Sequence, residues 1–135
     1  MRRSNMFSHV MIGSNDIEES KIFYDGLFEV LGVKPGKSFP NLTGQKRYFY
    51  NLNGISFCIT EPIDGNLATV SNGSTVGFNV ENPEQGDAWH KAGLDKGGIS
   101  IEEAPGIRDY GSIKMYLAYL RDPTGNKLCA ICKIK

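Results

Sequence analysis

The sequence lacks the features that mark membrane-spanning, secreted and nucleic-acid-binding chains. Its 135 residues contain no apolar stretch near the roughly 18 residues that a membrane helix needs. The opening residues have no apolar core ahead of a cleavage site, so we expect no secretion signal. Fifteen basic and 15 acidic side chains give zero formal net charge, and no run of like charge is longer than two residues, as in Arg2-Arg3. We therefore expect a cytoplasmic protein that binds neither nucleic acid nor a membrane.

Cysteine is also scarce, with three residues in the chain, and histidine is present twice. The number of cysteines is odd, and their spacing matches no zinc finger. Cys129 and Cys132 differ by an odd offset, which places their side chains on opposite faces of a strand. These features predict reduced thiols in a cytosolic protein. The length predicts a single domain over residues 1–135.

The two halves of the chain repeat one order of predicted elements. Each begins with a short strand and a capped helix, with Asn15 or Asp16 as the first N-cap and Asn82 as the second. A Gly-led strand closes each half, and two further strands are predicted between the helix and that strand. Aligning the halves places Cys58 on Cys129. Both halves are therefore predicted to be β-α-β-β-β units.

These units predict an α+β fold with module one at about 6–61, a linker at about 62–73 and module two at about 74–135. We expect the modules to form one curved eight-strand mixed sheet around a cleft, with the helices on its outer face. Because side chains alternate along a strand, the two faces can be listed separately. Predicted to face the helices are Val10, Ile12, Phe57, Ile59, Val76, Phe78, Leu128 and Ala130. Predicted to face the cleft are His9, Met11, Cys58, Thr60, Thr75, Asn79, Cys129 and Ile131.

Two segments contain further candidates for the cleft. In the strand around 46–51, either Arg47 and Phe49 or Tyr48 and Tyr50 face the cleft, and the alternation does not decide between them. The connection at 102–115 is rich in glycine and proline turns and is typical of a lid. We expect its Arg108 and Tyr110 to bind an anionic or polar group, because arginine can donate two parallel hydrogen bonds to an anion.

Three stretches resemble one protein group: FSHVMIGSNDIEESKIFYDGLFEVLG, PIDGNLATVSNGSTVGF and YLRDPTGNKLCAIC. They are similar to the vicinal oxygen chelate superfamily, which contains glyoxalases, bleomycin-resistance proteins and extradiol dioxygenases. The resemblance spans residues 6–132 and is closest to small bacterial glyoxalase-family proteins. It implies the paired-module fold and a homodimer.

The resemblance also implies positions for a metal site. Metal-using members take ligands from the first and last strands of each module, and here those positions hold His9, Cys58, Thr75 and Cys129. The ligand set would be His9, Cys58 and Cys129, because threonine stands where a second histidine is usual. One nitrogen and two sulfurs suit Zn²⁺ with an open position better than Ni²⁺, Mn²⁺ or Mg²⁺. The alternative is a cleft without a metal.

Two classes of function follow from this resemblance. One is a glyoxalase-type lyase or isomerase on a small oxygenated or thiol-conjugated substrate, with Cys129 in the position of the catalytic glutamate. The other is a metal-free protein that binds a small molecule, as drug-sequestering members do. In either case the candidate ligand-binding residues are Met11, Thr75, Arg108, Tyr110 and Tyr119.

Overall fold

The computed structural model of the chain describes residues 6–135. Arg2 and Arg3 lie outside the described residues. The described elements are β1 (His9–Gly13), α1 (Ile17–Glu29), β2 (Lys37–Ser38), β3 (Arg47–Leu52), β4 (Ile55–Thr60), β5 (Val76–Asn79), α2 (Pro83–Asp95), β6 (Ile99–Ser100), β7 (Gly106–Asp109), β8 (Lys114–Arg121) and β9 (Lys127–Ile134). Within residues 6–135, no helix has the length and apolar character needed to cross a membrane.

The strands form two mixed sheets, one in each module. The first has the order β1-β4-β3-β2, and the second has the order β5-β9-β8-β6 with β7 also paired to β8. In each sheet the first and last strands of the module pair in parallel, and the remaining pairs are antiparallel. The predicted α+β class is confirmed. The predicted single eight-strand sheet is instead a pair of separate sheets with four and five strands.

Both helices begin at the capping residues that the sequence predicts. Asp16 accepts a hydrogen bond from the Glu19 backbone N–H at 3.1 Å, so Asp16 rather than Asn15 is the N-cap. Asn82 accepts from the Gln85 N–H at 2.8 Å, and Pro83 occupies the first turn, where no N–H is needed. The caps fix where each helix starts relative to the strand before it.

The strand register confirms the internal repeat. In module one Val10 pairs with Phe57. In module two the corresponding pair of the parallel strands β5 and β9 is Val76 with Leu128. The next positions along give Met11 opposite Cys58 and Gly77 opposite Cys129. Because a slip of one residue would reverse every side chain, this register places the two thiols on equivalent faces.

One apolar core joins the two modules. All eight side chains predicted to face the helices belong to this core or pack against it. The rings of Phe28 and Phe57 from module one lie 5.2 and 5.5 Å from the ring of Phe78 in module two. Phe78 in turn contacts Trp89 of α2 at 6.4 Å. The helix-covered faces of the two sheets therefore share their packing, and the opposite face of each sheet is left without a helix.

A tight turn between β8 and β9 is organised by the buried carboxylate of Asp122. One oxygen of Asp122, Oδ1, accepts backbone N–H bonds from Thr124, Gly125 and Asn126 at 2.9 to 3.0 Å. Gly125 has a φ of +112°, a conformation that glycine adopts without steric cost. The sequence Asp-Pro-Thr-Gly-Asn therefore specifies the geometry with which the chain enters β9.

The second carboxylate oxygen of Asp122 links this turn to module one. The Tyr24 hydroxyl of α1 donates to Oδ2 of Asp122 at 2.7 Å, and both residues are buried. Burial, and then the Asp122 carboxylate, raise the pKa of Tyr24 well above its usual value, so this hydroxyl remains a donor. The Asn126 side-chain amide donates to Oδ2 of Asp122 and to the Gly13 carbonyl at the end of β1.

We expect Asp122→Ala to destabilise the protein strongly, by more than about 3 kcal/mol, because it leaves several donors without an acceptor. Tyr24→Phe removes one of those hydrogen bonds and should cost about 1 kcal/mol. Urea unfolding followed by circular dichroism measures both values. Equal losses for the two variants would contradict a role for Asp122 beyond its bond to Tyr24.

Candidate functional site

The face of the first sheet that carries no helix is called here the open face of module one, and Met11, Arg47, Phe49 and Cys58 form it. Cys58 pairs with Met11 on one side and with Phe49 on the other, so these three side chains share a face. Arg47 lies on that face because it is two residues from Phe49. The structure therefore decides between the two sequence alternatives for this strand in favour of Arg47 and Phe49.

The alternative pair, Tyr48 and Tyr50, faces helix α1. The Tyr50 hydroxyl donates to Asp25 at 2.7 Å, and the Tyr48 hydroxyl donates to Glu18 at 2.6 Å. Burial, and then Asp25, raise the pKa of Tyr50, so its hydroxyl keeps its proton. Tyrosine suits this position because its ring enters the core while its hydroxyl reaches a helix carboxylate.

The Arg47 guanidinium is held in a fixed position on the open face of module one. Its central carbon lies 5.2 Å from the ring centres of both Phe39 and Phe49. Its Nε donates to the Phe39 carbonyl at 2.9 Å. Among residues 6–135, its two terminal nitrogens have no hydrogen-bond partner. Arg47 thus offers two oriented donors on an aromatic surface.

The Cys58 thiol beside Arg47 is fully buried. Burial raises the pKa of Cys58 to about 11, although the positive charge of Arg47 opposes part of that change. At neutral pH the thiol is therefore protonated, and a protonated thiol is a poor nucleophile and a poor metal ligand. Cys58 acts as a small apolar group beneath Met11 and Phe49.

The second sheet has a corresponding face, called here the open face of module two, which Leu117, Tyr119, Cys129 and Ile131 form. Tyr119 pairs with Cys129, and Leu117 pairs with Ile131. Burial raises the pKa of Cys129, while its hydrogen bond with Tyr119 acts in the opposite direction. Lys127 lies over the Tyr119 ring at 4.9 Å. The Cys129 thiol is therefore protonated at neutral pH, as the Cys58 thiol is.

A pocket of about 440 Å³ lies at the edge of module two, lined by Glu102, Glu103, Arg108 and Tyr110. The predicted pair of Arg108 and Tyr110 is thus brought together at one pocket. Arg108, however, donates to the backbone carbonyls of Gly106 and Glu103, at 3.0 and 3.2 Å. Its guanidinium also lies 3.8 Å from the Glu103 carboxylate. These bonds occupy guanidinium donors of Arg108 that were predicted to bind a ligand.

The segment predicted as a lid is partly a strand. Within 102–115, β7 (Gly106–Asp109) pairs with β8 in an antiparallel register, with Arg108 opposite Met115. The backbone hydrogen bonds to β8 fix this part of the segment. The lid interpretation was therefore wrong for β7, because pairing with a strand further along the chain outweighed the local turn signals.

The structure does not bring the predicted metal ligands together. Cys58 lies in the first sheet and Cys129 in the second. His9 is exposed at the start of β1, where its Nδ1 lies 2.7 Å from the Ser8 hydroxyl. No group of three or more His, Cys, Asp or Glu side chains in the described part of the chain could hold a metal ion. Within one chain, these donors do not fit a zinc site.

The remaining predicted ligand-binding residues lie on different surfaces. Met11 is exposed on the open face of module one, beside Cys58. Tyr119 lies on the open face of module two. Burial raises the pKa of Tyr119 most, and Cys129, Glu102 and Tyr110 raise it further. Thr75 is exposed immediately before β5.

The sequence interpretation missed two features of these surfaces. The sequence did not indicate that the Phe39 ring lies against Phe49 and the Arg47 guanidinium. Lys127 was not considered, although it forms an ion pair with Glu102. The spacing of Arg47 and Phe49, two residues apart and so on one face of β3, is the signal that could have identified the first feature.

The raised pKa of Cys58 predicts slow alkylation in a variant that retains this thiol alone, Cys129→Ala with Cys132→Ala. At pH 8 iodoacetamide should react about a hundred times more slowly with the folded protein than with the urea-unfolded chain, because the thiolate fraction is small. Mass spectrometry of the alkylated fraction measures the rate. The rate should rise about tenfold per pH unit up to about pH 10. A plateau near pH 8 would contradict the raised pKa, and this pH profile separates the pKa from simple access.

Comparisons with known proteins agree with this architecture. The model of the Glyoxalase/Bleomycin resistance protein/Dioxygenase superfamily matches residues 6–130. A crystal structure of a glyoxalase/bleomycin resistance protein from Albidiferax ferrireducens T118 is 54% identical. It matches with a TM-score of 0.83, covering 94% of this chain and 98% of that one. None of the curated proteins matches the sequence.

More distant structures share the fold. A glyoxalase/bleomycin resistance protein/dioxygenase family enzyme from Burkholderia phytofirmans PsJN is 17% identical. Its TM-score is 0.67, and 92% of this chain and 95% of that chain are covered. A glyoxalase-related enzyme from Fulvimarina pelagi is also 17% identical, with a TM-score of 0.68 and coverage of 93% and 86%. With a family match over nearly the whole chain, the protein belongs to the glyoxalase/bleomycin resistance protein/dioxygenase superfamily.

Proposed function

We propose that this protein binds a small molecule at the open face of module one and releases it unchanged. The observation that carries this proposal is the Arg47 guanidinium, which is fixed in place while its two terminal nitrogens lack a partner among residues 6–135. The rings of Phe39 and Phe49 and the Nε hydrogen bond hold it. A side chain ordered in advance loses less entropy when a ligand binds.

The surroundings of Arg47 favour an aromatic ligand that carries an acidic group. A carboxylate or sulfonate can accept two parallel hydrogen bonds from a guanidinium. Phe39 is 59% exposed and Met11 is 38% exposed, so both offer apolar contact to the rest of the ligand. An aromatic ring packs well against a phenylalanine ring at an edge-on or offset angle.

The chemical state of the two thiols supports binding rather than turnover. Glyoxalase-type isomerisation needs a base that moves a proton at a carbon next to a carbonyl. The resemblance implies that Cys129 stands in the position of that base, but burial raises the pKa of Cys129 and keeps the thiol protonated. Cys58 is protonated for the same reason. Neither thiol can accept the proton at neutral pH.

A second candidate function is a lactoylglutathione-lyase-like activity on a small oxygenated or thiol-conjugated substrate. One observation favours it: the His9 ring is exposed at the start of β1, as an available ligand would be. In this candidate His9, Cys58 and Cys129 would hold zinc, Cys129 would be catalytic, and Arg108 and Tyr110 would bind the substrate. The described residues contain no group of three or more His, Cys, Asp or Glu side chains placed to hold a metal ion, which makes it the weaker candidate.

We propose in addition that the protein is a cytoplasmic homodimer. Leu42, Ile63 and Leu67 are large apolar side chains that are more than 70% exposed, which supports an interface that covers them. The cysteines Cys58, Cys129 and Cys132 are all free, which supports a reducing compartment.

The binding proposal predicts that 8-anilinonaphthalene-1-sulfonate, an aromatic anion, binds to the folded protein through Arg47. Arg47→Gln should weaken this binding about tenfold, because a charge-assisted hydrogen bond is lost. Phe39→Ala should also weaken it. Fluorescence titration of the folded variants measures the dissociation constants.

Lys46→Gln is the matched control for this titration. It removes the same charge one residue away, at an exposed side chain. Binding to Lys46→Gln should equal binding to the wild type. A wild-type dissociation constant for Arg47→Gln would contradict the proposal, provided that both variants show a cooperative thermal transition.

The two candidate functions differ in their expected turnover of the methylglyoxal–glutathione adduct. We expect no rate above the uncatalysed reaction, with or without added Zn²⁺ or Ni²⁺, and a small loss of stability for Cys129→Ala. Absorbance at the thioester band measures the rate. Turnover by the wild type that Cys129→Ala abolishes while the fold remains intact would establish the lyase instead.

A further inference from the structure

We infer that a second pocket, between the inter-module linker and the second sheet, binds a phosphate-type oxyanion. The pocket has a volume of about 250 Å³, and its lining comprises Val70, Ser71, Asn72, Gly73, Ser74, Arg121 and Lys127. It is separate from the open face of module one. Residues 70–73 belong to the predicted linker, for which the sequence suggested no role, and Ser74 begins module two.

Two cations from neighbouring strands define the charge of this linker pocket. Arg121 ends β8 and Lys127 begins β9, and the two are directly paired in the antiparallel register. Their side chains therefore project from the same face of the sheet. The residues that line the pocket include no carboxylate, so its charge favours an anion.

The polar groups of the pocket are available to a ligand. Arg121 donates from Nη1 to the Gly125 carbonyl at 2.7 Å, which orients the guanidinium. In the described part of the chain, the other nitrogens of Arg121 have no hydrogen-bond partner. The side chains of Ser71, Asn72 and Ser74 likewise make no hydrogen bond with residues 6–135. Hydroxyl, amide and guanidinium donors beside an ammonium group match the oxygens of a tetrahedral anion.

Glu102 limits the affinity of this pocket from outside it. Its carboxylate forms an ion pair with the Lys127 ammonium group but does not line the pocket. The Lys127 side chain is 25% exposed, so its charge is less screened by water than that of a fully exposed lysine. An anion in the pocket and the Glu102 carboxylate therefore compete for one ammonium group.

The shared chemistry of the ligand is a phosphate group, which is either free or carried by a small organic molecule. An Arg–Lys pair with hydroxyl donors supplies more charge than a single carboxylate needs, and this favours a doubly charged oxyanion. The volume leaves room for part of a molecule that carries the phosphate group. The two sources are distinguished by their affinities.

The experiment is a titration of the ¹⁵N-labelled full chain with inorganic phosphate and, separately, with glycerol 3-phosphate, at constant ionic strength set by chloride. We expect saturable shifts in the amide signals of Ser71, Ser74 and Lys127. Arg121→Gln and Lys127→Gln should each weaken binding about tenfold. Glu102→Gln should tighten it several-fold, because the competing carboxylate is removed. If the ion pair of Lys127 with Glu102 only stabilised the fold, Glu102→Gln would not raise the phosphate affinity.

Lys91→Gln is the control, because Lys91 forms an exposed ion pair with Asp95 on α2, and its side chain is 77% exposed. Its phosphate affinity should equal that of the wild type. Arg121→Lys, which keeps the charge but loses the planar fork, replaces Arg121→Gln if the latter does not fold. Its affinity should lie between those of the wild type and Lys127→Gln.

Three outcomes would overturn the inference: linear shifts without saturation, equal weakening in Lys91→Gln, or no gain in Glu102→Gln. Tighter binding of glycerol 3-phosphate than of inorganic phosphate would assign the site to an organic phosphate. Equal affinity would assign it to the free anion. The result is independent of the binding proposed at Arg47, because Arg47→Gln should leave the phosphate affinity unchanged.

Discussion

The buried carboxylate of Asp122 joins parts of the chain that are far apart in sequence. Its Oδ1 accepts three backbone N–H bonds of the turn before β9, and its Oδ2 accepts from Tyr24 in α1. Through Asn126 the same turn reaches the Gly13 carbonyl at the end of β1. A buried acceptor with this many donors fixes geometry, because each donor would otherwise be unsatisfied. The turn therefore determines the register of β9, and with it the face on which Cys129 lies.

That register determines the chemistry available on each sheet. Side chains alternate along a strand, and the neighbours of Cys58 and Cys129 point into the shared core. Both thiols therefore lie on the face of their sheet that is turned away from the helices. Both thiols are buried there, and burial raises the pKa of each. A thiol in this state fills space as a small apolar group. A protonated thiol is also a poor proton acceptor, and on the open face of module one the oriented charge is the Arg47 guanidinium.

The sequence predicted the features that depend on local pattern. The caps at Asp16 and Asn82, the repeat and the faces of the core strands follow from spacing and alternation, and all are present. The sequence did not predict which distant segments pair with each other. The division into two sheets and the strand β7 depend on which edges meet, which a single sequence does not encode locally. The face of Arg47 was undecided because both alternating pairs on β3 combine rings with polar ends. In the structure, Glu18 and Asp25 of α1 accept hydrogen bonds from the Tyr48 and Tyr50 hydroxyls. Both tyrosines therefore face the helix, and Arg47 faces the other way.

The arrangement of charge supports both proposed anion sites, although the formal net charge is zero. On the helix side of the sheets, acidic side chains of α1 and α2 accept hydrogen bonds from strand tyrosines; the pairs are Tyr48–Glu18, Tyr50–Asp25 and Tyr116–Asp87. These bonds hold three carboxylates away from the open faces. The basic residues Arg47, Arg121 and Lys127 lie on the opposite sides of the sheets, where water and ligands have access. Glu102 and Glu103, which lie near the open face of module two, each stand beside a cation. Arg47, Arg121 and Lys127 therefore lie on the sheet faces without helices, whereas Glu18, Asp25 and Asp87 are bound to strand tyrosines on the helix side.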